Sequence, residues 1–145
     1  RIAMEILLIG AIACITGLLV TAWLMTFAKW FPIKGVDPLI VDYKTMIRGH
    51  VDWALMAVFG FGFYGVGIGN IEYSIFPCWC VAIGGFTNPS VFIIASFDPK
   101  FWEKTWVKIY TAISFILTTV GFTWLCYEII MYALDKNALA TPFGF

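Results

Sequence analysis

The chain has 145 residues, nine basic and nine acidic side chains and hence no formal net charge, with 61% hydrophobic, 19% aromatic and 12% charged residues and a mean hydropathy of +0.90. Soluble domains carry about 25% charged residues, so this composition excludes an ordinary soluble domain and identifies an integral membrane protein. The balanced charge leaves no basic surplus to neutralise phosphates, which excludes a nucleic-acid partner.

A helix crossing the hydrocarbon core takes about 20 mostly apolar residues. Four such runs are predicted, Ala3 to Phe27, Arg48 to Ile68, Ile75 to Phe97 and Thr105 to Leu134. They are apolar on all sides and continuous, whereas a membrane barrel is built from alternating strands of roughly ten residues. The predicted fold is therefore an all-α, four-transmembrane-helix bundle forming one domain over residues 1–145. The first run is longer than the apolar core of a secretory leader, and Gly17 to Trp23 offers no convincing small-residue cleavage site. The sequence opens on Arg1 rather than Met.

The connection 28–47 contains Pro32, Gly35 and Pro38, which argue against continuous helix. Phe31, Ile33, Val36, Leu39, Ile40 and Val41 are too apolar for a solvated loop, so the segment is expected along the membrane interface. Lys29, Lys34, Lys44 and Arg48 here, with Lys100, Lys104 and Lys108 between the last two helices, make seven basic residues at one end against Arg1 and Lys136 at the other. Under the positive-inside rule both connections are cytoplasmic and both termini outside. Trp30, Phe31, Phe101, Trp102 and Trp106 stand where interfacial aromatics anchor a bundle.

Helix 2 opens with the only histidine of the chain, His50. Ionisable side chains in apolar spans are functional-site hypotheses by default. Arg48 and Asp52, four apart, share a helix face and can form an ion pair; His50 and Asp52, two apart, diverge by about 200°. Along the His50 face follow Trp53, Ala54, Ala57 and Phe61, and the two alanines are expected to leave room beside the ring for a flat apolar ligand. Three roles remain open for His50. It can be polar glue between helices, at about 1 kcal/mol or less; a metal or haem ligand, since one histidine suffices for a haem iron but not for zinc; or a proton-transfer group. Further on, the run Gly60, Gly62, Gly65, Gly67 and Gly69, which includes the small-xxx-small pair Gly65 and Gly69, permits close helix approach, either inside the bundle, the favoured reading, or across a trimer or dimer face.

In helix 3, Pro89 cannot donate to the carbonyl of Gly85, so a kink and a carbonyl in need of a partner are expected. Asn88 beside it either binds a ligand or ties neighbouring helices. Cys14, Cys78, Cys80 and Cys126 lie in apolar runs without metal or redox spacing and read as packing residues. The tail from Asn137 to Phe145 reads as irregular.

Ile47-Arg48-Gly49-His50 at the start of helix 2, with Gly85-Phe86-Thr87-Asn88 in helix 3 and four helices of matching spacing, resembles the styrene oxide isomerase group of small bacterial membrane proteins over about residues 5–130. The resemblance implies a four-helix protein of the bacterial cytoplasmic membrane, a homotrimer, and haem b held between neighbouring subunits. It implies that His50 ligates the iron, that ferric iron acts as Lewis acid on an epoxide oxygen, and that Asn88 lies in the pocket. The chain departs from that pattern at Phe92, where the group has a tyrosine, at Met56, where it has an asparagine, and at Gly84, where it has an aspartate. With those polar groups replaced, catalysis by preorganised donors is weakened.

Three functions follow as expectations. Favoured is an accessory or structural subunit of a larger membrane complex, such as a membrane monooxygenase or respiratory assembly. It would retain a haem b, lipid or quinone pocket at His50, Asn88, Ala54 and Ala57. The alternatives are a haem b-dependent isomerase of a small apolar substrate such as an epoxide, with Asn88, Tyr64 or Tyr110 as replacement donors, and a relay of protons or electrons through Glu5, Asp52, His50 and Glu128.

Overall fold

A computed structural model describes residues 2–139, with side chains through Asp135. The described chain is helical throughout its ordered elements: α1 (Ile2–Met25), α2 (Tyr43–Gly67), α3 (Ile75–Phe97) and α4 (Thr105–Leu139). A π-helical turn, Thr26–Trp30, prolongs α1, and short 3-10 turns occupy Asp37–Leu39 and Phe101–Glu103. Three segments, Ile2–Trp30, Ile75–Phe97 and Thr105–Asp135, are long and apolar enough to cross a membrane. The chain is thus an all-α protein of integral membrane type.

The second helix starts five residues before the predicted Arg48, at Tyr43. The reason is its cap: Asp42 Oδ1 accepts the Thr45 amide at 3.1 Å and Oδ2 accepts the Thr45 hydroxyl at 2.6 Å, which satisfies an otherwise orphaned amide of the first turn. These bonds, the hydroxyl of Thr45 foremost, hold the Asp42 carboxyl below its ordinary range. At the other end, α4 runs to Leu139, into the stretch expected to be irregular, and 140–145 lie outside the described residues.

In lipid the apolar driving force between helices largely disappears, and close backbone approach takes over. The small residues of this chain serve that approach. A Cβ built on Gly10 would stand 2.7 Å from the Cβ of Ala82, one on Gly60 3.0 Å from that of Ala11, and one on Gly121 2.8 Å from the amide nitrogen of Val81. These contacts fix directions. Residue numbers rise together along α1 and α3, through Gly10 with Ala82 and Cys14 with Gly85, so these helices run parallel. They run opposite along α1 and α2 (Ala11 with Gly60, Gly17 with Trp53) and along α3 and α4 (Val81 with Gly121, Gly84 with Thr118). Helix α3 touches each of the other three, while α4 packs chiefly on α3.

Charge divides the two ends. Among the described side chains, Lys29, Lys34, Lys44, Arg48, Lys100, Lys104 and Lys108 all belong to one end, and the other carries Glu5, Glu72, Glu128 and Asp135 without a base. At the basic end, Lys104 donates to Asp98 at 2.7 Å, the one ion pair among the described residues. That bond, helped by the Lys100 amide, lowers the Asp98 carboxyl. The connection 28–47 leaves Trp30, Phe31, Ile33, Leu39 and Val41 exposed, and it is tied to the foot of α3 where the Val41 and Asp42 amides donate to Ser96 O.

Candidate functional site at the histidine edge and the polar seam

Helix α2 is buried along the stripe Met46, Gly49, Trp53, Ala57, Gly60 and Gly67, a three-and-four spacing that presents one face to α1 and α3. His50 sits at the margin of that stripe, half-buried, and turns toward α1. Its Nδ1 lies 3.0 Å from the hydroxyl of Thr21. The same hydroxyl is within 2.9 Å of Gly17 O and 3.0 Å of Leu18 O. Thr21 has one proton and two backbone acceptors, so giving that proton back to its own helix leaves its lone pair to receive Nδ1–H. That arrangement places the imidazole proton on Nδ1 and leaves Nε2 as a lone pair, for which the described contacts give no partner.

The neighbours expected to line a ligand space divide. Ala57 is wholly buried in a cluster with Cys14 and Trp53, so its methyl belongs to the core and does not open room beside the imidazole. Ala54 is half-buried on the edge. Arg48 and Asp52 do not form the ion pair that their spacing permits; the Arg48 guanidinium lies over the ring of Phe92, 5.7 Å from the centroid. A cation over an aromatic face is itself a stabilising contact.

Asn88 faces the opposite way. Its Oδ1 accepts from Ser114 of α4 at 3.2 Å, and Ser114 is 2.7 Å from the hydroxyl of Thr87. Tyr110 donates to the carbonyl of Thr87 at 3.0 Å. The structure therefore brings Asn88 together with Thr87, Ser114 and Tyr110, and no described contact joins it to His50, whose bond reaches α1.

In the middle of α3 the sequence points to one carbonyl in need of a partner, and the structure gives side-chain donors to three. The helix continues through Pro89. Gly85 O, deprived of a donor by that proline, receives the thiol of Cys14 at 3.6 Å. Phe86 O receives the indole N–H of Trp53 at 3.1 Å and the hydroxyl of Ser90 at 2.7 Å. With Tyr110 on Thr87 O, three successive carbonyls take side-chain donors from α1, α2 and α4. Sequence signalled the first through Pro89; the roles of Cys14, Trp53 and Tyr110 depend on which helix lies beside which, and no local pattern encodes that.

The cysteines Cys14, Cys78 and Cys80 are buried and unbridged, and Cys126 is exposed. Among the described residues no group of three or more His, Cys, Asp or Glu is placed to hold a metal ion. A haem needs only one side-chain ligand, and His50 has the right atom. His50 lines neither of the two recesses described, of about 540 and 320 Å³. Glu128 accepts the amide of Ser74 at 3.2 Å, together with its hydroxyl and the Trp124 indole. A carboxylate so placed complements the N-terminus of α3. Glu5 and Glu128 thus occupy the end opposite His50 and Asp52, and no described chain of hydrogen bonds links the two.

No protein-family model, characterised protein or solved structure matches this chain.

Proposed function

We propose that the chain is a four-span accessory subunit of a membrane assembly, built to hold other transmembrane helices rather than to transform a substrate. Three of its helices qualify as spans by length and apolarity. The parallel course of α1 and α3 supports α2 as the fourth, because a chain that leaves α1 on one side must return across the bilayer before α3 can run in the same direction. The 25 residues of α2 reach about 37 Å at 1.5 Å each, enough for a core of about 30 Å.

The observation that carries the non-catalytic reading is the commitment of most interior polar groups, the buried hydroxyl of Thr111 being the exception among the described residues. Cys14, Trp53, Tyr110, Thr87 and Ser114 are turned onto backbone carbonyls or one another, where they tie helices together. Outward, α2 offers an open strip. Val51, Leu55, Val58 and Phe61 are exposed, and a Cβ on Gly62 or Gly65 would meet nothing within 4 Å. The protein purified in mild detergent is expected to have a native mass above the 16.3 kDa of one chain, from other subunits or further copies. A monodisperse single chain, or epoxide turnover by the isolated protein, would defeat the reading.

The His50–Thr21 bond favours a second function at the same edge, a haem b ligand. A metal-bound imidazole usually anchors its other ring nitrogen by donating to a fixed acceptor, and Thr21 is so placed. A haem there would supply a Lewis-acidic iron; His50 Nε2 would hold it, Thr21 would orient the imidazole, and the enclosing wall would come from another chain. Absorption spectra of oxidised and dithionite-reduced protein, beside His50→Ala, test this. A Soret band abolished by the substitution is expected, and native protein without that band leaves His50 as a tie between α1 and α2.

A further inference from the structure

The smaller recess, of about 320 Å³, lies at the basic end of the bundle, between the side chain of Trp102 and the face of α4 that carries Lys108, Thr111, Ala112 and Phe115. Those four residues follow at steps of three, one and three, so they form one stripe along the helix. Trp102 is held by edge contacts with Phe92 and Phe101, ring centroids 6.0 and 5.4 Å away. Lys108, Ala112 and Phe115 are exposed. The hydroxyl oxygen of Thr111, by contrast, is sealed from solvent, and it is the one buried side-chain polar atom among the described residues that has no hydrogen-bond partner. Lys108 is unpaired as well: the one described ion pair joins Lys104 to Asp98, and α4 carries no acidic residue before Glu128.

We propose that this recess holds one anionic glycerophospholipid, its phosphate on Lys108, an ester carbonyl on the Thr111 hydroxyl and an acyl chain along Ala112 and Phe115. The order of these residues along α4 carries the assignment. Lys108 stands at the start of the span, where lysine ammonium groups and tryptophan rings meet lipid headgroups. Thr111 lies about 4.5 Å deeper and Phe115 about 10 Å deeper, at 1.5 Å per residue. Phosphate, ester and chain follow one another in the same order down a bilayer leaflet. A hydroxyl left in hydrocarbon without a partner is costly, and a bare alkyl chain or a wholly apolar helix would leave Thr111 so. An ester carbonyl supplies the acceptor once the side chain turns to the other of the two χ1 wells open to threonine in a helix. Lys108 then selects the headgroup, since a charge-assisted bond to phosphate is the stronger sort. A zwitterionic headgroup brings its own cation toward Lys100, Lys104 and Lys108; an anionic one does not. Neither the His50 edge nor the subunit reading enters, so the site can fail without affecting either.

The test uses the full chain in an uncharged maltoside detergent, given equal amounts of phosphatidylglycerol and phosphatidylcholine with the same acyl chains and read by native mass spectrometry. Phosphatidylglycerol is expected to be retained about fivefold over phosphatidylcholine, the worth of one lysine at an anionic membrane surface. The preference should vanish in Lys108→Gln and persist in Lys34→Gln, whose charge lies on the connection 28–47. A dialkyl ether analogue of phosphatidylglycerol, which lacks the ester carbonyls, should be retained about threefold less well, the usual worth of a hydrogen bond inside a membrane. Thr111→Val should lower retention of the ester lipid by that same factor and leave the ether lipid unchanged, a pattern that a packing defect does not produce. Equal retention of the two headgroups, a preference that survives Lys108→Gln, or indifference to ester against ether overturns the proposal. So does a dimer of the delipidated chain that Ala112→Trp dissociates, which would assign the recess to a second copy. The ester and ether comparison on the native chain stands even if a variant fails to fold.

Discussion

Along the seam between α3 and α4, Thr87, Ser114, Asn88 and Tyr110 answer one another within 2.7 to 3.2 Å, and glycines let the two backbones meet. At the edge of α2, His50 holds a single bond to Thr21 and stays half-exposed. Both regions place polar atoms inside apolar helices, where an unpartnered group is costly. The seam meets most of that cost by closing on itself, the buried Thr111 hydroxyl beside it on α4 staying without a partner, and what results is rigidity. The edge meets only half of it, and what results is an atom left for another chain or a ligand. Polar residues in this bundle therefore divide by how completely their partners are supplied within the chain.

The sharpest way to break the contrast is at Gly84. A Cβ there would collide with the hydroxyl of Thr118 and stand 2.9 Å from the Thr118 amide nitrogen, which is backbone and cannot swing aside. Gly84→Ala is expected to cost about 1–3 kcal/mol as an overpacked contact, and Gly84→Leu more. Unfolding in detergent by titrated denaturant measures it. An unchanged midpoint would mean that α4 shifts freely on α3, and the seam would lose its claim to rigidity.

The seam and the edge also differ in how far they were legible in the sequence. Apolar runs revealed the helical membrane class because lipid demands long uninterrupted helices, and the Asp42–Thr45 cap lay in plain sequence although the predicted start passed over it. Pro89 announced an orphaned carbonyl. That Cys14 would answer it from a helix running parallel, 71 positions away in sequence, followed from packing alone. Ala57 misled for the same reason: helical spacing put it near the His50 face, and only the position of α1 decided that it faced Cys14 and Trp53. The glycines of α2 were separable only once neighbours were known. Gly60 is pressed against Ala11 and Gly67 against Tyr73, Gly62 and Gly65 are open, and Gly69 lies past the end of the helix in a turn at a φ of +74°, so it cannot pair with Gly65 on one helix face.

Trp53 links the two regions, since it packs on Gly17 of α1 and donates to Phe86 O of α3 at 3.1 Å. Trp53→Phe keeps an aromatic ring and removes the donor. Because Ser90 also donates to that carbonyl, the loss should be near the middle of the usual 0.5–1.5 kcal/mol for a hydrogen bond, about 1 kcal/mol. A loss approaching that of Gly84→Ala would show that the indole holds α1, α2 and α3 together by shape rather than by its N–H.

The edge should respond less. Thr21→Val and His50→Ala each remove the same interhelical bond, for about 1 kcal/mol or less, the usual worth of such bonds between membrane helices. In a double-mutant cycle the two losses should not add, because the second substitution finds nothing left to remove. Full additivity would mean that the 3.0 Å contact contributes nothing, and Thr21 would no longer serve to orient the imidazole.

The smallest effect on the single chain, and the most telling for the assembly, belongs to the open strip of α2. Gly62→Ala and Gly65→Ala meet no atom within 4 Å, so the protomer's stability should change by less than about 0.5 kcal/mol, as for ordinary surface positions. Gly65→Leu should be equally mild to the protomer but place a branched side chain where a neighbouring helix would need to approach. If partners dock there, native mass falls while the melting curve of the separated chain stays put, a split that neither a seam defect nor a loss of the His50 bond can produce. If mass and melting both hold, the strip faces lipid, and the partners of the chain must be sought on α4, whose span is buried over only 17% of its most apolar stretch.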